Sequence, residues 1–376
     1  MLRLVLLIIL FLASLLTLFK APAYYLWLLA IMVTEFSWIF ISTTGLILAS
    51  GFWVNQYKTA GNIIGILALL LFFSPIIRAY SVAGHIKKEM QTALGSGKPL
   101  IFPGQREPFS FGRLFQKALV LPSRSVTYIH YPDTTLNLDF YPAQTGGKRP
   151  CVVVIHGGSW SSGDSKQLPE LNSYLSSIGY HVASVNYRLA PKYNAPDAIE
   201  DTRNALKYLK AHADSLNIDT NNFVLLGRSA GAQIALLAAY TLPHTGIKAV
   251  IEFYGPADMV WGYSVPANPL VMNSRLVMER YLGGSYKAVP QAYAASSPIE
   301  FVNQQTVPTL IIHGGNDVLV AYEHSTRLNA RLKQNNIKHY WLKLPWATHG
   351  FDYNLNGPGG QLSTYAVETF LRKVAP

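Results

Sequence analysis

Residues 223–239, FVLLGRSAGAQIALLAA, restrict the fold more than any other stretch. A short apolar run leads into Gly-Arg-Ser-Ala-Gly at 227–231, and no helix breaker follows until Pro243. The five-residue pattern alone recurs by chance in chains rich in Gly and Ser. A strand before it and a helix after it turn it into a nucleophile elbow. In so tight a turn Gly227 and Gly231 must lack side chains, because neighbouring backbone passes where Cβ atoms would sit. Ser229 is then held in a strained conformation with its hydroxyl clear of the sheet. The N–H of Ala230, opening the helix, points at whatever binds there. The competing reading is an ordinary turn with a solvated serine, and residues further along the chain decide between them.

From about residue 121 the chain alternates strand and helix. Ser125–Tyr131 and Leu136–Pro142 read as two strands joined at Pro132-Asp133. Cys151–Ile155 reads as a strand buried on both faces, and His181–Tyr187, Ala249–Tyr254, Thr309–His313 and Tyr340–Leu344 read as further strands with helices between them. That alternation predicts an α/β fold: a mostly parallel sheet, antiparallel at its start, flanked by helices.

In such sheets the site lies at the carboxyl ends of the strands. One end carries His156-Gly-Gly-Ser-Trp160. Its glycines admit bare backbone to a reacting carbonyl, so Gly157, Gly158 and Ser159 are candidates to join Ala230 in an oxyanion hole. One such donor is worth about 3 kcal/mol of barrier. A second end carries Gly314-Gly-Asn-Asp317 and a third Thr348-His349-Gly350. A serine hydroxyl needs a base, and His349 titrates in the right range. Asp317 is the carboxylate expected to fix its tautomer and stabilise the imidazolium. Asp258 is the alternative acid. His156 is expected to shape its loop, while His85, His130, His181, His212, His244, His324 and His339 are expected to be structural or exposed. The second His-Gly-Gly, at 313, reads as coincidence. No side-chain cluster has metal-ligand spacing and no loop suits a phosphate, so neither metal nor cofactor is expected. Cys151, the only cysteine, opens an apolar run and reads as a buried thiol.

The first 120 residues are different in kind. Half of the chain is apolar, with a mean hydropathy of +0.18, and the excess is concentrated in three runs: Leu2–Phe19, Ala23–Ser50 and Ala60–Ile77. Each approaches the length that spans a hydrocarbon core, so residues 1–78 are expected to form three transmembrane helices. A signal peptide is the rival reading, with Ala21-Pro-Ala23 as its cleavage site. Tyr24, Tyr25 and Trp27 stand where interfacial aromatics belong. Glu35 is costly in lipid unless paired, and a partner within the helical bundle is expected. Residues 79–120 form a basic linker containing Gly95-Ser-Gly97. Phe111, Leu114, Phe115, Ala118 and Leu119 in it recur at helical spacing, which suits an amphipathic helix on the bilayer or one packed on the following domain, residues 121–376.

Net charge is +11, and residues 1–120 hold ten Lys and Arg against three Asp and Glu. No nucleic-acid module is present, so membrane lipid is the expected partner of the excess. With three spans, Lys20, Arg78, Lys87 and Lys88 share one side, which places the large domain in the cytoplasm.

Taken in order, His156-Gly-Gly-Ser-Trp160, Asn186-Tyr-Arg-Leu-Ala-Pro191, Gly227-Arg-Ser-Ala-Gly231, Asp317 and His349-Gly-Phe351 resemble the α/β-hydrolase superfamily over residues 125–376. The closest likeness is to its carboxylesterase branch related to hormone-sensitive lipase and kynurenine formamidase. The chain also resembles prenylcysteine methylesterases, which are membrane enzymes. The resemblance implies an acyl-enzyme on Ser229, a proton shuttle on His349, and no cofactor. Three features depart from the pattern: Ser159 in place of a third glycine, Arg228 before the nucleophile, and the amino-terminal helices. Arg228 suits an anionic substrate or points outward. Pro256–Pro298 stands where relatives carry a cap; Trp160 with Met259, Trp261 and Tyr263, and also Leu270 and Met272, either line an acyl pocket or pack the cap itself. The expected function is a membrane-anchored serine carboxylesterase acting on a small-molecule or lipid ester. Alternatives are a formamidase or peptidase with the same triad, or a scaffold with an idle hydrolase-like domain.

Overall fold

A computed structural model of the chain describes every residue except 54–55, 96–99, 101 and 244, so Ser96, Gly97 and His244 lie outside the described residues. The large domain is built on one eight-stranded sheet. Its strands are β1 (Arg124–Tyr131), β2 (Thr134–Tyr141), β3 (Arg149–Ile155), β4 (His181–Val185), β5 (Ile218–Arg228), β6 (Ile247–Phe253), β7 (Thr309–Gly314) and β8 (His339–Leu344). They lie in the order β1-β2-β4-β3-β5-β6-β7-β8. The β1–β2 hairpin and its junction with β4 are antiparallel; every later pairing is parallel. The side chains of β3 and β7 are buried along almost their whole length, which is why they read as unbroken apolar runs rather than alternating ones. Cys151 is buried within β3. This is an α/β-hydrolase fold.

Among the described residues four α-helices precede the sheet: α1 (Leu2–Ser14), α2 (Tyr24–Glu35), α3 (Ser37–Ala49) and α4 (Lys58–Leu94). Among the described residues α4 alone is long and apolar enough to cross a membrane, and α2 with α3 would make a second crossing only as one bent pair. The second expected span is thus divided. Its two halves meet at 84°, around a non-helical Phe36 at φ −120° and ψ 32°. No Pro or Gly causes the break. Glu35 does not find its partner in the bundle as expected: its carboxylate leaves to accept the N–H of Gly359 at 2.8 Å, in the last helix of the chain.

The remaining helices are α5 (Pro169–Ser177), α6 (Ala195–Ala211), α7 (Ala213–Leu216), α8 (Ala230–Thr241), α9 (Met259–Ser264), α10 (Ser274–Leu282), α11 (Pro290–Ala295), α12 (Glu323–Gln334) and α13 (Pro358–Val374). They cover both faces of the sheet, with α9, α10 and α11 forming the cap segment. At 37 residues, α4 is about 55 Å long at 1.5 Å per residue. Its first half packs with α1 and α3. Its second half does not act as a linker: Ile76, Ala79, Ile86, Met90 and Leu94 join the core formed by β-strands and α13, and Tyr340 of β8 donates its hydroxyl to Glu89 at 2.9 Å.

The helix expected around Phe111–Leu119 is a single 3-10 turn, Phe111–Phe115, followed by extended chain. Its helical spacing is overruled by packing. Phe115 packs at a tilt against Trp38 of α3 with ring centroids 5.3 Å apart, Asn356 donates to Gln116 O, and the N–H of Leu121 donates to Ser173. These contacts tie the segment to α3 and to the large domain in an extended form.

Candidate active site

The site starts from the turn between β5 and α8. Ser229 adopts φ 53° and ψ −121°, a conformation that L-residues hold only when their surroundings impose it. The glycines on either side explain how. A Cβ on Gly227 would lie 2.2 Å from Gly231 O, and one on Gly231 would lie 2.2 Å from Ile155 O. The backbone crossing is therefore open only to glycine. The N–H of Ser229 donates to Phe253 O at 2.9 Å, which ties the turn to β6.

Arg228 turns inward, against both expectations for it. Its Nε donates to Asp352 Oδ2 at 2.5 Å, with both side chains buried, and the Tyr254 hydroxyl donates to the other Asp352 oxygen. The side chain next to the nucleophile is committed to the structure and is not available to a substrate.

Asp317 and His349 meet after the ends of β7 and β8. His349 Nδ1 lies 2.8 Å from Asp317 Oδ2. A carboxylate only accepts, so Nδ1 carries the proton and Nε2 is left with a lone pair. The other carboxylate oxygen, Oδ1, accepts the N–H groups of Leu319 and Val320, each at 2.9 Å. Burial by itself would push this carboxyl up. The imidazoles of His349 and His313 outweigh it and hold the group well below the usual carboxylate range. The imidazole of His349 also packs on Tyr254, with ring centroids 4.3 Å apart.

His313, read from the sequence as coincidence, belongs to this assembly. Its Nε2 lies 3.2 Å from Asp317 Oδ2, and its Nδ1 lies 2.7 Å from Ser325 Oγ. Ser325 in turn donates to Glu252 Oε1 at 3.2 Å. Burial depresses the His313 imidazolium, but the hydrogen bond and charge of Asp317 overcome it, and the pKa is raised. Ser325 donates onward to Glu252, so its oxygen is free to accept from Nδ1, as Asp317 accepts from Nε2. Glu252, fully enclosed, is pushed up to about 7 by burial, against the pull of His313 and the Gly255 N–H. The sequence signal for His313 was present: it stands four residues before Asp317 at the end of a buried strand.

Of the four proposed oxyanion donors, the Gly157 N–H is already used, donating to Gln167 Oε1 at 2.9 Å. Gly158, at φ 118°, could not carry a side chain, since a Cβ would lie 2.1 Å from Ser162 O. The N–H groups of Gly158, Ser159 and Ala230 have no hydrogen-bond partner among the described residues. His156 shapes its loop as expected, with Nδ1 2.7 Å from Gly157 O and its ring stacked on Tyr187. Asp258, the alternative acid, caps α9 through Trp261 N and pairs with Arg327 at 2.8 Å.

Ser229, Ala230, Ser159, Trp160 and Asp317 share one cavity of about 450 Å³. The Ser229 hydroxyl makes no hydrogen bond among the described residues. Trp160 is the one proposed pocket aromatic that lines the cavity; its indole N–H donates to Gln233 Oε1 at 3.0 Å, and its ring stacks on Tyr281 of the cap at 4.4 Å. The other three are absent from the wall because each packs elsewhere. Met259 is wholly buried in the core, Trp261 sits edge-on to His324, and Tyr263 donates to Glu279 at 2.6 Å. Leu270 is exposed, whereas Met272, Val277 and Met278 do line the cavity. So does His324, whose pKa falls to about 3 through burial and the nearby His313 charge. One wall was not foreseen: Lys20, Ala21 and Pro22, from the link between α1 and α2. No local pattern in the sequence marks contact across that many residues.

The family model described as BD-FAE matches residues 138–332, more than half of the chain. The probable carboxylic ester hydrolase LipM of Mycobacterium tuberculosis is 29% identical over 244 residues, 61% of this chain and 55% of that protein. Esterase LipC of the same organism is 29% identical, over 60% of this chain and 58% of its own length. The chain thus spans little more than half the length of these curated relatives. Among solved structures, a bacterial heroin esterase superposes with a TM-score of 0.59 at 23% identity, covering 68% of this chain and 84% of its own. The Pyrobaculum calidifontis esterase superposes at 0.60 and 21% identity, covering 69% and 87%.

Proposed function

Because the chain belongs to the BD-FAE family, within the carboxylesterase branch of the α/β-hydrolases, we propose that it is a membrane-anchored serine carboxylesterase acting on a lipophilic ester. The observation that carries the reading is the 2.8 Å contact of His349 Nδ1 with Asp317, whose side of the cavity is shared with a serine held at a strained turn. In this reading Ser229 Oγ attacks the ester carbonyl while His349 Nε2 takes its proton. The tetrahedral oxyanion is received by the N–H of Ala230 with that of Gly158 or Ser159. His349 then protonates the departing alkoxide, and the acyl group stays on Ser229. A water molecule, deprotonated by the same imidazole, attacks the acyl-enzyme and releases the acid. The serine–imidazole contact closes once substrate is bound, as catalytic hydrogen bonds commonly do.

Two observations support the lipophilic part. The cavity wall contains Pro22, Val277, Met272, Met278, Val318 and Leu319. The amino-terminal helices also turn large apolar side chains outward: Ile9, Leu12, Leu46, Ile63, Leu70 and Ile77 are all exposed. In water such a surface would be a liability, whereas in lipid it is matched. We take α1, α3 and the first half of α4 as the membrane-embedded bundle, with Lys20 and Arg78 on the cytoplasmic side together with the hydrolase domain.

The test is labelling by a fluorophosphonate together with hydrolysis of esters graded in chain length, in detergent and in liposomes. Wild type is expected to label and to favour the longer chains, and Ser229→Ala to do neither. Undiminished turnover by Ser229→Ala refutes the reading.

A further inference from the structure

The helix that the sequence marks as half of a membrane span is bonded to the loop that carries the base. Trp27 Nε1, on α2, donates to the backbone carbonyl of His349 at 3.0 Å. One residue on, Gly350 has φ 81°, and the place a Cβ would occupy is 3.4 Å from Ile31 Cδ1. Further along, Asn354 Nδ2 donates to Glu35 O at 2.8 Å, and the N–H of Gly359 donates to the Glu35 carboxylate at 2.8 Å. The stretch 349–359 is therefore held along its length by a single helix. Asn316, next to the acid of the pair, is also within reach of the same region, with Nδ2 3.4 Å from Leu18 O.

We propose that Trp27 is a positioning residue for His349, and that α2 is a clamp on the loop bearing it. The inference rests on the esterase reading above. Asp317 restrains the imidazole only through Nδ1, a bond that sets the ring's tautomer and leaves the main chain of the loop free to move. The Trp27 bond acts on the main chain of His349 itself, so the two together fix the ring's place and its plane. Releasing the carbonyl lets Nε2 drift relative to Ser229. A misplacement of about 1 Å costs on the order of 100-fold in rate. Trp27 is not among the described residues that line the cavity, so the loss is expected in kcat rather than in KM.

The experiment uses the full chain in detergent with a water-soluble p-nitrophenyl ester. Trp27→Phe keeps an aromatic ring and removes the N–H. Its kcat is expected to fall about 10- to 100-fold with KM within about twofold. Met32→Leu, at an exposed position on the same helix, is expected to match wild type. Should Trp27→Phe not fold, Asn354→Ala, which frees the loop from Glu35 O, carries the same expectation. Folded Trp27→Phe with kcat within twofold of wild type overturns the inference while leaving the esterase reading intact. A wild-type chain with neither turnover nor fluorophosphonate labelling overturns both.

Discussion

Replacing Asp317 by Asn tests the site more sharply than deleting the side chain, because the structure dictates which way the amide must face. Oδ1 accepts two backbone N–H groups, from Leu319 and Val320, at 2.9 Å. An NH₂ at that place would set donor against donors, so the amide oxygen must occupy it and the NH₂ must take the place of Oδ2. There it faces His313 Nε2, which no longer holds its second proton once the carboxylate charge is gone, and His349 Nδ1, at 2.8 Å in the wild type. Nδ1 must then accept rather than donate, the proton moves to Nε2, and the lone pair needed to receive the Ser229 proton is gone. The geometry survives while the tautomer inverts. The loss expected for that inversion is about 10⁴ in kcat, which is about 5 kcal/mol of barrier at 1.36 kcal/mol per factor of ten. The assay is steady-state hydrolysis of a soluble ester, normalised to folded protein by circular dichroism. Raising the pH should not restore the rate, since the wrong tautomer is set by a hydrogen bond and not by titration. A rate within tenfold of wild type would refute the argument and return the orienting role to another carboxylate.

Further outcomes concern stability. Arg228→Ala leaves Asp352 charged and buried without its partner; the expected cost is about 3–5 kcal/mol in chemical unfolding, and a loss below about 1 kcal/mol would mean the pair is solvated. Glu252 is raised from 4.5 to about 7, chiefly by burial, among His313, Ser325, the Gly255 N–H and Asp317. Between those two pH values the folded chain holds a proton that the unfolded chain has released, so the stability this group contributes is present below 4.5 and lost as pH rises through 7. Thermal midpoints of wild type should therefore fall relative to Glu252→Gln across that interval; a difference that does not vary with pH would contradict it.

What the sequence made legible was whatever local chemistry enforces. The two glycines of the elbow are required by backbone atoms about to overlap, so any chain making that turn must show them. Ser229, Asp317 and His349 stand at strand ends, where the topology alone brings them to one rim. Misreadings occurred where a side chain's direction decided the matter. Gly157 looked like an oxyanion donor until Gln167, ten residues on, claimed its N–H. Trp261 and Tyr263 had the chemistry of a pocket wall and turned instead to α12 and to the cap's own packing. Arg228 offered a charge beside the nucleophile, yet its place at the end of β5 turned it toward Asp352. The bend at Phe36 left one trace in the sequence, an acid in an apolar run, and hydropathy cannot say that its partner lies more than 300 residues away.

The 84° angle between α2 and α3 connects the site to the proposed bilayer. If α3 crosses the membrane, a helix nearly perpendicular to it lies along the surface, and α2 is then the layer between lipid and hydrolase. The link leading into α2 lines the cavity through Lys20, Ala21 and Pro22, and it is bonded to the cap, where Asn268 donates to Pro22 O and the Tyr24 N–H to Leu270 O, each at 3.0 Å. Phe19, Tyr25 and Leu270 stand exposed around that junction. The mouth of the cavity is then at headgroup depth, where the carbonyl of a membrane-dissolved ester resides, and the acyl chain need not pass through water to reach Ser229. For an enzyme whose substrate arrives through the interface, one helix that both rests on that interface and holds His349 keeps the entrance and the base in fixed relation.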